Sequence, residues 1–138
     1  MENKFINRYR TFCKSLSNLE KSLRADPKAD FVLEGTVLNF NLTFDIAWKV
    51  IKDILIKKLE ILDFAVGSPR ETLQQAFTNR IIADDLWMQM LRVRNQLAHD
   101  YDGTFAAESF PAVRLDTLKS IQPIHPFAKS VLTHSCVC

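Results

Sequence analysis

Apolar residues Phe5, Tyr9, Phe12, Leu16, Leu19 and Leu23 recur every three or four positions at the start of the chain, the period of one face of an α-helix. This predicts a first helix over about residues 3 to 25. Asp26-Pro27-Lys28-Ala29-Asp30 interrupts the pattern, because proline has no amide donor and restricts the residue before it. The period resumes at about Phe31 and runs to Phe64, with Phe40, Phe44, Trp48, Ile51, Leu55, Leu59 and Leu62 on one stripe. Asp45, Lys49, Lys52 and Lys57 lie away from it, while Val37, Ile46, Val50, Ile54 and Ile61 widen the apolar arc. An arc that wide fits a central core helix, or one that gives part of its surface to a second copy of the chain.

Gly67 is placed to be the left-handed residue after that helix, and Ser68-Pro69-Arg70-Glu71 matches a capping box with proline in the first turn. A short helix over about residues 69 to 82 is expected to follow. Asp84 then fits the cap of the next helix, whose apolar face is Leu86, Trp87, Met90, Leu91, Leu97 and Ala98. That helix should end near Tyr101, since Asp102-Gly103 is a turn signal, and Thr104 fits a further cap. Pro111, Pro123 and Pro126 divide the remainder into two or three helical pieces, with a frayed tail after about Thr133. The expected architecture is all-α.

The chain has 138 residues, with 47% apolar residues, 3 Gly and 5 Pro, a length and composition that predict one domain over residues 1 to 138 and argue against a turn-rich β fold or disorder. Eighteen Lys and Arg against sixteen Asp and Glu leave a formal charge of +2, so broad charge-driven nucleic-acid binding is not indicated, although a local basic groove is compatible with that sum. Apolar runs are broken by Lys57, Lys58 and Glu60 well before the roughly 20 residues a bilayer span needs. Three cysteines, Cys13, Cys136 and Cys138, and the lack of a secretory leader pattern point to a reducing cytosol.

The segment that carries chemistry is Arg92-Val93-Arg94-Asn95-Gln96-Leu97-Ala98-His99-Asp100-Tyr101. At 100° per residue Arg94 falls within the stripe of Trp87, Met90, Leu91, Ala98 and Tyr101, where a core helix would place a hydrophobe. A desolvated guanidinium needs a carboxylate, a carbonyl array, a wet groove or a bound anion, and Asp84, Asp85 and Glu71 are candidate partners for an ion pair. His99 fits an exposed histidine near a helix C-terminus, favoured by the helix dipole, as well as a functional one. Tyr101 is equally compatible with an ordinary rim aromatic. His134-Ser135-Cys136-Val137-Cys138 carries metal-capable groups, but their spacing matches no common zinc pattern, and no metal or other cofactor is expected. There is no phosphate-binding glycine loop and no nucleotidyltransferase signature.

Arg94-Asn95 with His99 and Tyr101 resembles the R-N-x-x-x-H-x-Y signature of HEPN proteins. Together with Ser68-Pro69-Arg70-Glu71 and Asp85-Leu86-Trp87, it is most similar to the nucleotidyltransferase substrate-binding branch of that superfamily. The resemblance implies an up-and-down four-helix bundle with short extra helices, a homodimer, a cytoplasmic setting and a minimal nucleotidyltransferase as partner. In some such pairs the HEPN subunit is a toxin ribonuclease, silenced when its partner transfers AMP to the motif tyrosine. Carried over, this implies Arg94 and His99 as catalytic, Asn95 as supporting and Tyr101 as the modification site, with RNA as a possible substrate. The family's older name implies instead a non-catalytic subunit that presents substrate to the nucleotidyltransferase. A neutral imidazole suits removal of a 2'-hydroxyl proton and a guanidinium suits charge building on phosphate. Five positions place Arg94 and His99 about 140° apart on an ideal helix, so two copies meeting at a dimer axis would be needed to line one groove.

Overall fold

The computed structural model describes residues 2–26, 28–57, 67–82, 86–100 and 103–108. These form α1 (Glu2–Arg24), α2 (Val32–Lys57), α3 (Pro69–Thr78) and α4 (Leu86–Leu97), followed by one further turn of helix, α5, over residues 104–108. The protein is an all-α helical bundle. The expected extension of the second helix to Phe64, the Asp84 cap, the proline-divided C-terminal pieces and the His134 to Cys138 cluster lie outside the described residues.

α1 forms where the periodicity places it, and its stripe is the buried one: Phe5, Tyr9, Phe12, Leu16 and Leu19 are all enclosed, with Leu23 packed at the margin. The rings stack along the helix, Phe5 to Tyr9 at 6.4 Å and Tyr9 to Phe12 at 6.3 Å. α1 runs antiparallel to α2, as three cross-links spaced along both helices establish. Arg8 bonds Asp53, the Thr43 hydroxyl donates to the Ser15 carbonyl at 3.0 Å, and Asn39 donates to Ser22. Cys13 on α1 is disulfide-bonded, with its partner outside the described residues.

α2 is the hub, packing against α1, α3 and α4. Phe40, Phe44, Ile51 and Leu55 are buried as the stripe predicts, and Val50 and Ile54 join them. Trp48 is only half-buried, because the centre of the buried arc runs through Phe44, Ala47 and Ile51 and leaves position 48 at its edge. Two leucines face the other way: Leu38 is 57% exposed and Leu42 52%.

Gly67 has φ 47°, and the Ser68 hydroxyl accepts the Glu71 amide at 3.2 Å, with Pro69 opening α3. The start of α3 is thus the expected cap. Its end is earlier than the periodicity suggests, at Thr78 and not Ile82. Arg80 adopts φ 62°, its amide bonds Phe77 O, and the Ile81 amide bonds Ala76 O at 2.9 Å. That is the pattern of a Schellman closure. The closure turns Ile81 and Ile82 into the core, where they are 3% and 6% exposed, so the apolar signal at those positions belongs to a turn and not to another helical turn.

A β-carbon in the left-handed region costs about 1–2 kcal/mol, and glycine removes that strain at some cost in unfolded-chain entropy. Arg80→Gly should therefore stabilise the fold by about 0.5–1 kcal/mol, raising the melting temperature by about 3 °C. An unchanged or lowered midpoint in thermal unfolding would contradict the closure described here.

Candidate functional site

α4 docks through Trp87, Met90 and Leu91, and the Trp87 ring meets Phe44 of α2 at 6.1 Å. One turn beyond Met90, Arg94 continues that apolar stripe, as its sequence position implies. Its Nη2 lies 2.9 Å from Asp45 Oδ1, the residue next to Phe44. Among the described residues the ion-pair partner thus comes from α2 and not from Glu71, while Asp84 and Asp85 lie outside the described residues. The Phe44 to Trp87 contact brings Asp45 alongside, a proximity that no local sequence signal contains. Asp45 Oδ1 is buried without an aligned hydrogen bond although Nη2 is close, so charge and not a directed N–H holds this contact. Both side chains are more than one-third exposed, which limits the pair to about 0–1 kcal/mol. Arg94 Nη1 also makes a long 3.4 Å contact to Asn95 Oδ1.

α4 ends at Leu97, four residues short of Tyr101. The amides of His99 and Asp100 bond Gln96 O and Leu97 O, three residues back, so the last turn tightens and the helix stops. Asp100 is then recruited forward. Its carboxylate accepts the Phe105 amide at 3.1 Å and the Ala106 amide at 2.9 Å, across Gly103, whose φ is 78°. Asp100 thus serves α5 where the sequence suggests Thr104, and Thr104 is instead the first residue of that turn.

His99 is exposed in this turn and lines an open depression of about 430 Å³ with Asn95, Gln96, Asp100 and Phe105. A second depression of about 570 Å³ adjoins it, sharing Asn95 and Gln96 and continuing to Arg92 and Gln89. The two make a trough along the outer side of α4, walled by amides, an imidazole, one cation and one carboxylate. Such a surface hydrogen-bonds readily and carries little net charge.

Asn95 and His99 line one depression, and Arg94 reaches it only through its contact to Asn95. Arg94 lines neither depression. It sits on the face that meets α2, while Gln89, Arg92 and Gln96 occupy the opposite face of the same helix. Tyr101 lies outside the described residues. Gln89 and Phe105 lie outside the Arg92 to Tyr101 segment, yet the spacing of 89, 92, 96 and 99 is itself a helical polar stripe, a signal present in the sequence.

The turn that presents His99 depends on Asp100. Asp100→Ala should cost about 1 kcal/mol, as loss of a helix cap does, and should speed hydrogen exchange at the Phe105 and Ala106 amides. Unchanged exchange at those two amides would mean that the carboxylate does not hold them in solution.

No helix among the described residues is long and apolar enough to cross a membrane. No curated protein matches the chain. The family model described as "Nucleotidyltransferase substrate binding protein like" matches residues 7–125, which takes in most of α1, all of α2 to α5 and the whole Arg92 to Tyr101 segment. The chain belongs to the HEPN-like nucleotidyltransferase substrate-binding family.

Proposed function

We propose that this chain is the cytoplasmic HEPN-type partner of a minimal nucleotidyltransferase and acts, as a homodimer, as a toxin-type metal-independent ribonuclease silenced by AMP transfer to Tyr101. The observation that supports this best is the placement of His99, an exposed imidazole beside Asn95 in an open trough. In the proposed step, His99 takes the proton of a ribose 2'-hydroxyl. The O2' attacks the adjacent phosphorus, the P–O5' bond breaks, and the proton returns to the leaving oxygen, giving a 2',3'-cyclic phosphate and a 5'-hydroxyl. Arg94 stabilises charge on the phosphate oxygens, and Asn95 supports it by orienting the guanidinium. Since Arg94 and His99 point away from each other in one chain, the arginine for a given phosphate comes from the second copy. The exposed Leu38 and Leu42, on the same side of α2 as Asp45, give that copy an apolar surface to meet.

A second function, substrate presentation without catalysis, is favoured by one specific observation: Arg94 is already paired with Asp45 and does not line the trough. Under it, the trough holds the substrate that the nucleotidyltransferase modifies.

An assay on purified protein separates the two. For a ribonuclease, His99→Ala and Arg94→Ala each abolish cleavage, and His99→Ala leaves helical circular dichroism and melting unchanged because the side chain is exposed. Light scattering gives a dimer at micromolar concentration. Co-expression with an active partner adds the mass of one adenylyl group, and Tyr101→Phe removes the increment and restores toxicity. No cleavage by the wild-type dimer, or cleavage that survives both substitutions, would leave substrate presentation as the function.

A further inference from the structure

A separate cleft lies between the beginning of α1 and the end of α2, about 260 Å³ in volume. Among the described residues four cations line it, Lys4 and Arg8 from α1 and Lys52 and Lys57 from α2, with the carboxylate of Asp53 between them. Those five residues carry a formal balance of +3, in a chain whose total is +2. The cations are not held identically. Arg8 Nη1 alone reaches both Asp53 oxygens, at 2.9 and 2.8 Å. Among the described residues the guanidinium's Nη2 and Nε make no other hydrogen bond. The Lys57 ammonium lies 5.3 Å from the Phe5 ring centroid, which holds its charge against the apolar wall of the cleft.

Asp53 is there at a cost. Burial pushes its carboxyl above the ordinary carboxylate range, against the opposing pull of Arg8, Lys57 and Lys52. A cleft dry enough to do that also strengthens the attraction of its cations for an incoming anion. Asp53 fixes Arg8 in one orientation, which spares a ligand the entropy of ordering that side chain. A fixed guanidinium fork flanked by ammonium groups suits phosphoryl oxygens. The volume is below the roughly 300–1,000 Å³ of sites that enclose a whole small molecule, so one or two phosphoryl groups fit and anything attached to them remains outside.

We propose that the α1–α2 cleft is a second binding site, for the phosphoryl groups of a diphosphate or triphosphate, with Arg8 as the oriented anchor and Lys4, Lys52 and Lys57 as charge partners. It is distinct from the α4 trough, shares no lining residue with it, and does not rest on the ribonuclease function.

The test is titration of the full chain with inorganic pyrophosphate, followed by calorimetry and phosphorus NMR, with ATP and a short RNA lacking a 5'-phosphate as parallel arms. Saturable pyrophosphate binding, displaced by ATP, is expected. Lys4 and Lys52 make no hydrogen bond among the described residues, so Lys4→Gln/Lys52→Gln should fold normally and lose about tenfold or more in affinity, the equivalent of about 1.4 kcal/mol. Lys14→Gln/Lys28→Gln, which removes two exposed lysines elsewhere, should bind as the wild type does, and so should His99→Ala. Absence of pyrophosphate binding, equal weakening by both lysine pairs, or binding of the RNA alone would each overturn the proposal.

Discussion

A helix that is apolar over most of its circumference cannot be buried by one neighbour, and α2 is such a helix. Phe40, Phe44, Ala47, Val50, Ile51, Ile54 and Leu55 are all fully enclosed, and at about 1.5–3 kcal/mol for each large side chain this burial dominates the fold. α1 covers one flank with its own stacked aromatic ladder, and α3 and α4 cover the rest. Thr43, buried at the α1–α2 contact, donates its hydroxyl to a carbonyl of α1, so its burial leaves no donor unsatisfied.

The division of the functional surface follows from how α4 docks on this hub. Its apolar face must meet Phe44, and Arg94, which shares that face, is carried to Asp45. Whatever is polar on the opposite face is left to solvent, and there Gln89, Arg92 and Gln96 form the wall of a trough that the turn after α4 extends to His99. Docking thus separates two residues only five positions apart in the chain. The helix presents a charge to its own bundle, and the turn that follows it presents an imidazole to whatever occupies the trough.

Charge is also distributed along α2. Near its middle, Asp45 meets one arginine and the surroundings are close to neutral. About 11 Å further along, Lys52 and Lys57 face Lys4 and Arg8 across the hairpin, with Asp53 as the carboxylate among the described lining residues. The near-zero total of the sequence conceals this segregation, because a sum has no geometry. Antiparallel pairing of α1 with α2 brings the cations together, and the spacing within either helix alone would not.

By itself the sequence determined what depends on local period and local chemistry. The α1 stripe from Phe5 to Leu19, most of the α2 core stripe, the Gly67-Ser68-Pro69 boundary and the apolar position of Arg94 all appear as expected, because a 3.6-residue repeat and a capping serine act within a few residues of themselves. The Arg94 to Tyr101 signature also led to the family that the chain belongs to. Only the tertiary structure decided the rest. Arg94 pairs with Asp45, 49 positions away by subtraction, because long-range packing chooses among chemically equivalent carboxylates. α4 stops at Leu97 because Asp100 caps the next turn, and α3 stops at Thr78 because Arg80 accepts a left-handed backbone so that two isoleucines can enter the core. At both helix ends a local preference for continuing the helix was outweighed by a contact with residues beyond it, and periodicity along one helix carries no record of such contacts.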